Sequence, residues 1–225
     1  MGAALPDALH TGPVMWRMDP LRLDPEIVDQ AASLLARGGT VVYPTETLYA
    51  LGAHPMDEDA VRRIYIVKER DSRKPLPLIA ADRSAVSRAV SDWPPDAEAL
   101  ARSFWPGPLT LILPAAVDLP SVLHAGTGRI ALRISSHPVA RALSAGVGGL
   151  VVSTSANLAG ETPCRRVEEM SEDLLARVDG VVDAGGLPGG LPSTVVDVTS
   201  VPARLVRVGR LPWESIVKSI RASLE

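Results

Sequence analysis

The stretch DPEIVDQAASLLARGGTVVYPTETLYALG, residues 24–52, decides the fold class. Asp24-Pro25-Glu26 is a helix start: a capping carboxylate, then a proline whose fixed φ suits the first helical turn. Ile27, Val28, Ala31, Leu34 and Leu35 recur at helical spacing and predict one apolar stripe, which Gly38-Gly39 ends. Thr40-Val41-Val42-Tyr43 then reads as a buried strand.

The same alternation continues outward. A second helix is expected from near Asp57 to about Lys68, with Ala60, Ile64 and Val67 inward. Strands are predicted at Leu76 to Ala80, Leu109 to Leu113, Ile130 to Ile134 and Leu150 to Ser153, and later at Val181-Val182, Thr194 to Val198 and Leu205 to Val208. Helices fit residues 83–90, 95–104, 138–145, 167–177 and 213–223. Strands interleaved with helices imply an α/β domain with a mixed sheet, and the runs TVVDVTS and ARLVRV point to antiparallel strands in part of it. Residues 1 to about 15 read as a loose tail and 16–225 as a single domain.

Composition narrows the function classes. The 225 residues are 46% hydrophobic and 22% charged, ordinary for a globular chain, with a core that must be aliphatic because there is one Phe and three Tyr. Cys164 is the only cysteine, so no internal disulfide forms and a zinc site lacks its ligands. No apolar run is long enough for a membrane span, and the first residues lack the pattern of a secretory signal, so a cytoplasmic location is expected. A net charge of −3 argues against coating nucleic acid by bulk charge.

Three polar segments follow apolar strands or helices. Pro44-Thr45-Glu46-Thr47-Leu48-Tyr49 stands at the end of a strand, where α/β folds bind ligands; it is equally readable as a capped turn. The window from Arg62 to Lys74 holds six basic residues against two acidic ones. Arg forks and Lys point charges suit a polyphosphate, though a solvated helix end favours the same cations. Ser153-Thr154-Ser155-Ala156-Asn157 offers neutral donors for phosphate or carboxylate oxygens, or is a Ser/Asn-rich turn. Arg133 and Arg207 lie on strands among apolar neighbours, and Pro192-Ser193-Thr194 places hydroxyls at a strand start. There is no G-x-x-x-x-G-K-[ST] loop, no dinucleotide fingerprint and no metal spacing among the four histidines.

Taken in order, YPTETLYALG, KER with the following KPLPL, FWPGPLTLIL, ALRISSHPVA, STSANLAG, PSTVVD and RVGR closely resemble the YrdC-type threonylcarbamoyl-AMP synthase family, in its short, single-domain form. The resemblance runs from about Leu21 to Leu211. It implies a twisted sheet of parallel and antiparallel strands, flanked by helices, around a positively charged cavity. It also implies a nucleotidyltransferase that condenses L-threonine, bicarbonate or carbon dioxide and ATP into threonylcarbamoyl-AMP and pyrophosphate. Magnesium would come with the ATP, and no metal site of the chain's own is expected. By the same resemblance Lys68 and Arg70 are catalytic and bind ATP together with Lys74, Ser155, Asn157 and Arg207. Thr45, Arg133, Ser153 and Ser193 hold threonine, with Arg133 opposite its carboxylate. A tRNA-modifying transferase complex would take the product onward. The rival reading is a paralogue without synthase activity, a double-stranded RNA-binding or ribosome-associated factor. Asp71, Val208, Ile79 and Cys164 depart from the family pattern, which more often has Pro, Pro, His and Ser there.

Overall fold

The computed structural model describes residues 12–19 and 22–222. The chain opens with strand β1 (Val14–Arg17) and helix α1 (Pro25–Ala36). Asp24 caps α1 by accepting from the backbone N–H of Glu26 at 3.0 Å and of Ile27 at 3.4 Å, which satisfies two donors the first turn leaves free. Gly38 stops the helix at φ +82°, a left-handed conformation that a side chain disfavours. Strand β2 (Val41–Pro44) is buried along its whole length and returns antiparallel as β3 (Tyr49–Gly52).

Helix α2 (Glu58–Val67), strand β4 (Leu78–Ala80), α3 (Arg83–Ala89) and α4 (Pro95–Phe104) follow. Next come β5 (Leu109–Pro114), β6 (Arg129–Arg133), α5 (Pro138–Gly146), β7 (Leu150–Val152) and the two-residue β8 (Thr154–Ser155). The chain continues through α6 (Glu172–Leu175), β9 (Gly180–Asp183), β10 (Thr194–Asp197), β11 (Arg204–Arg207) and α7 (Trp213–Ala222).

The expected mixed α/β fold is observed, with its strands divided between two sheets. Five strands lie in the order β1-β9-β2-β3-β8 and six in the order β11-β10-β5-β6-β4-β7. Each sheet mixes parallel and antiparallel pairs. One buried cluster joins inner faces of both sheets to α2, α4 and α7, through residues such as Leu51, Ile64, Leu100, Leu111 and Ile216. A second cluster packs α1 and α5 on the opposite side, through Leu35, Val41, Tyr43 and Leu143. Val41 and Tyr43 enter the second cluster and Val42 the first, so β2 is covered on both faces and needs a continuous apolar run.

Three details correct the sequence reading. The tail drawn to residue 15 is shorter at its inner end: Val14 and Met15 already pair in parallel with Gly180 and Val181, while residues 1–11 lie outside the described residues. The helix expected over 167–177 is a 3₁₀ turn at Val167–Glu169 followed by α6, because Met170 is extended and the Ser171 hydroxyl caps a new turn by accepting from Leu174 N. The strand expected to include Ser153 ends at Val152, and the chain crosses to the other sheet as β8.

Candidate functional site

That crossing builds the site. Val152 N–H donates to Ala53 O just past β3 of one sheet, and Ser153 N–H to Pro77 O beside the other, so residues 150–155 stitch the two sheets together. Where they diverge, a cavity of about 330 Å³ opens. Three guanidinium groups line it: Arg70 after α2, Arg133 on β6 and Arg207 on β11. The hydroxyl residues Thr45, Thr47, Thr110, Ser153, Thr154, Ser155 and Ser193 line it as well, and among the described residues no Asp or Glu does. A cavity with three fixed cations, many neutral donors and no carboxylate is built for anions.

Each cation is held differently. Arg70 donates Nη2 to Pro75 O at 3.1 Å, while its buried Nε has no partner. A buried donor without an acceptor is rare and calls for an explanation. Arg207 braces the start of β10, donating to Ser193 O at 2.9 Å and Ser193 Oγ at 3.1 Å. Ser193 Oγ also shares a 2.7 Å bond with Thr110 Oγ1. Arg207 counts as exposed over the whole residue, yet desolvation of its head, and then the like charge of Arg133, lower its pKa. Arg133 and Glu46 form an ion pair behind the cavity wall, with Ser135 Oγ donating to the other carboxylate oxygen at 2.5 Å. Tyr43, fully buried, has its hydroxyl pKa pushed up by desolvation and donates to Val152 O at 3.1 Å.

Of the ten residues expected to form the site, Thr45, Arg70, Arg133, Ser153, Ser155, Ser193 and Arg207 come together around this cavity. Lys68, Asn157 and Lys74 do not line it. Lys68 is buried, and its ammonium donates to Ser155 O and Asn157 O, each at 2.5 Å. Desolvation, and then the Arg70 charge, lower its pKa to about 8. Asn157 closes the same loop, donating Nδ2 to Leu158 O at 2.9 Å and Glu161 O at 2.8 Å. These two side chains therefore shape the Ser155 loop from behind. Lys74 is exposed on the turn after Asp71. The Thr45 hydroxyl closes the β2–β3 turn by donating to Leu48 O at 2.6 Å.

The departures from the family pattern have local explanations. Asp71 pairs with Arg73 at 2.8 Å, which lowers its pKa to about 2 and leaves Arg70 uncontested. Ile79 packs in the second cluster and is not among the cavity-lining residues; its neighbour Leu78 is. Cys164 is buried, and its carbonyl accepts from Tyr49 N at 3.0 Å, so it backs the strand that carries part of the wall. Val208 is exposed at the end of β11.

Thr47, Thr154, Thr110, Glu46 and Ser135 were missed from sequence, the first two although they lie in polar segments singled out there. Thr110 was legible as the one polar residue inside Leu109-Thr110-Leu111-Ile112-Leu113. Glu46 was visible only as part of its polar segment, because its partner lies 87 positions away.

The Sua5/YciO/YrdC family profile, described as "Telomere recombination", matches residues 33–209. The chain belongs to this family. A threonylcarbamoyl-AMP synthase of Pyrococcus abyssi is 37% identical over 190 residues, 84% of this chain and 56% of that protein. One from Xanthomonas campestris is 39% identical over 186 residues, 82% of this chain and 95% of its own length. Among solved structures, Pyrococcus abyssi Sua5 complexed with L-threonine superposes with a TM-score of 0.87 at 35% identity, covering 93% of this chain and 61% of that one. The chain thus spans little more than half the length of some curated relatives and nearly all of others. Its Sua5/YciO/YrdC domain carries the whole cavity, whose lining runs from Thr45 to Arg207. Among the described residues, no helix is long and apolar enough to cross a membrane.

Proposed function

We propose that this Sua5/YciO/YrdC domain is an L-threonylcarbamoyladenylate synthase, a nucleotidyltransferase acting on L-threonine, bicarbonate or carbon dioxide, and ATP. The observation that carries the reading is the convergence of Arg70, Arg133 and Arg207 on one cavity that has no acidic lining residue. The similarity to proteins named threonylcarbamoyl-AMP synthase and to a threonine-bound relative supports the same substrates.

In this reading the threonine carboxylate meets Arg133, and the hydroxyls of Thr45, Ser153 and Ser193 orient the rest of the amino acid. The unprotonated amine adds to carbon dioxide with release of one proton to solvent, or to bicarbonate with loss of water, giving a carbamate. A carbamate oxygen attacks the α-phosphorus of ATP, the bond to the β-phosphate oxygen breaks, and pyrophosphate leaves. Nothing is oxidised or reduced. The unpaired Nε of Arg70, the Arg207 head and the Ser155 hydroxyl meet phosphate oxygens, where charge accumulates in the transition state. Lys68 and Asn157 act on the same step by fixing the Ser155 loop. Holding three substrates in one enclosure supplies much of the remaining acceleration.

Magnesium would be carried by the ATP phosphates, where it would offset their charge. The lining residues offer it no carboxylate, so they fit a metal carried by phosphate and water rather than one held by the chain. The product is an activated anhydride and requires a downstream transferase, the tRNA-modifying complex that the family resemblance implies.

The alternative of a non-catalytic RNA-binding module is disfavoured by the basic window itself. Arg62 pairs with Glu58 and Asp59, Arg63 with Asp179 at 2.7 Å and Arg73 with Asp71, while Lys68 is buried. Among the described residues that leaves Lys74 as the one exposed cation of this window without an ion pair or hydrogen bond of its side chain, a single point and not a cationic strip along which a phosphate backbone could lie.

The test incubates the protein with α-labelled ATP, magnesium, L-threonine and bicarbonate, with prompt analysis. A labelled adenylate and pyrophosphate that disappear when threonine is omitted are expected. ATP binding without any threonine-dependent product would overturn the proposal.

A further inference from the structure

Glu46 belongs to the β2–β3 turn but does not line the cavity. Its carboxylate points behind the wall and is anchored on both oxygens, one by Arg133 Nη1 and the other by Ser135 Oγ. The pair is almost enclosed, with side-chain exposures of 12% for Arg133 and 10% for Glu46. Ser135 is itself fixed, since its Oγ accepts from His137 N at 3.1 Å where α5 begins. Three separate segments therefore set the position of one carboxylate: the β2–β3 turn, β6 and the start of α5.

Arg133 also lines the cavity, and among the described residues its remaining N–H groups have no protein partner. A guanidinium presents a rigid planar fork, so fixing one of its nitrogens against a carboxylate fixes where the others point. Without that anchor the long arginine side chain would have to be ordered by the substrate, at the expense of affinity.

We propose that Glu46 is a positioning residue for amino-acid recognition: it holds the Arg133 guanidinium in the one orientation whose free N–H groups receive the substrate carboxylate. The inference rests on the reading that Arg133 binds the threonine carboxylate. A different role for the same carboxylate, plain neutralisation of the positive cavity, predicts the opposite sign. Removing a negative charge beside Arg133 and Arg207 would then tighten every anionic ligand.

Calorimetric titration separates the two. L-threonine and, independently, ATP are titrated into wild type, Glu46→Gln and Ser135→Ala, with circular dichroism to confirm the fold. Glu46→Gln keeps the shape and an acceptor but loses the charge. It is expected to weaken threonine about tenfold and leave ATP unchanged or slightly tighter. Ser135→Ala removes one of the two anchors and is expected to weaken threonine a few-fold with ATP unchanged; it decides the question alone should Glu46→Gln fail to fold. Threonine affinity that is unchanged or improved in the folded variants overturns the positioning role. Wild-type protein that binds ATP but not threonine overturns the substrate reading, and the inference with it.

Discussion

Replacing Lys68 by Met separates the loop-shaping role of that residue from any role in holding the fold. The ammonium donates to Ser155 O and Asn157 O. Losing it leaves two enclosed carbonyls short of a donor, at about 1–3 kcal/mol each. Against that, enclosure lowers the Lys68 pKa from its ordinary 10.5 to about 8, which corresponds to about 3 kcal/mol against the charged form at neutral pH. The two effects oppose each other, so the variant is expected within about 3 kcal/mol of wild type, a change in Tm of no more than about 10 °C. Activity has no such compensation. The Ser155 loop forms one wall of the cavity, and a shift of about 1 Å in a positioning element lowers turnover on the order of 100-fold. A folded, thermally competent Lys68→Met protein that makes almost no adenylate is therefore expected. The pH dependence supplies a second check. Between about pH 8 and 10.5 the unfolded chain keeps a proton on Lys68 that the folded chain has released, so this residue's contribution to stability rises with pH across that window. The Tm difference between wild type and Lys68→Met should move in favour of wild type over the same range. Turnover within threefold of wild type in the variant would refute the reasoning.

Other substitutions test the surrounding parts. Arg133→Ala strands the Glu46 carboxylate with only Ser135, and breaking a buried pair in this way costs about 3–5 kcal/mol; thermal melts should show it, and threonine-dependent product should vanish. Gly209→Ala would place its Cβ 2.3 Å from Thr194 N and 2.4 Å from Pro192 O, backbone atoms that cannot step aside, so β11 or Ser193 must shift. Denaturant titration should register a loss of about 1–3 kcal/mol, and ATP titration a weaker affinity, because Arg207 ends β11 only two positions before Gly209. Tyr49→Phe removes the hydroxyl that accepts from Ala184 N at 2.9 Å and donates to Gly185 O at 2.9 Å, and a stability loss of about 1–3 kcal/mol is expected in the same titration.

The elements legible in the sequence are those whose signals are local. α1 announces itself through Asp24, Pro25 and Gly38, and each of these makes its cap or stop in the structure. β3 and β8 carried no such signal. β8 is two residues long and exists because Ala50 pairs with Ser155 and Leu51 with Thr154 across more than a hundred positions of sequence. The division of the strands into two sheets was hidden for the same reason. Apolar strands at β4, β5 and β10 say that they are buried, and their order is a property of long-range register, which no local pattern encodes.

The site shows the same boundary from the other side. Polar residues at strand ends, Thr45, Ser153 and Ser193, could be picked out because strands that converge on a cavity must end in groups able to face a ligand. Arg133 could be noticed but not oriented, because a strand arginine on an outer face has the same sequence context as one lining a cavity. Its orientation depends on Glu46 and Ser135, and Glu46 is tied to it by an ion pair that closes 87 positions of chain. Lys68 and Arg70 make the contrast sharpest. Two residues apart and matched by the same family pattern, they sit differently: α2 ends at Val67, Lys68 caps it and Glu69 turns the chain at φ +52°, so one head turns inward to the carbonyls of the Ser155 loop while Arg70 lines the cavity. A motif can identify the pair, but only the position of the helix terminus decides which cation faces the cavity and which one holds the wall in place.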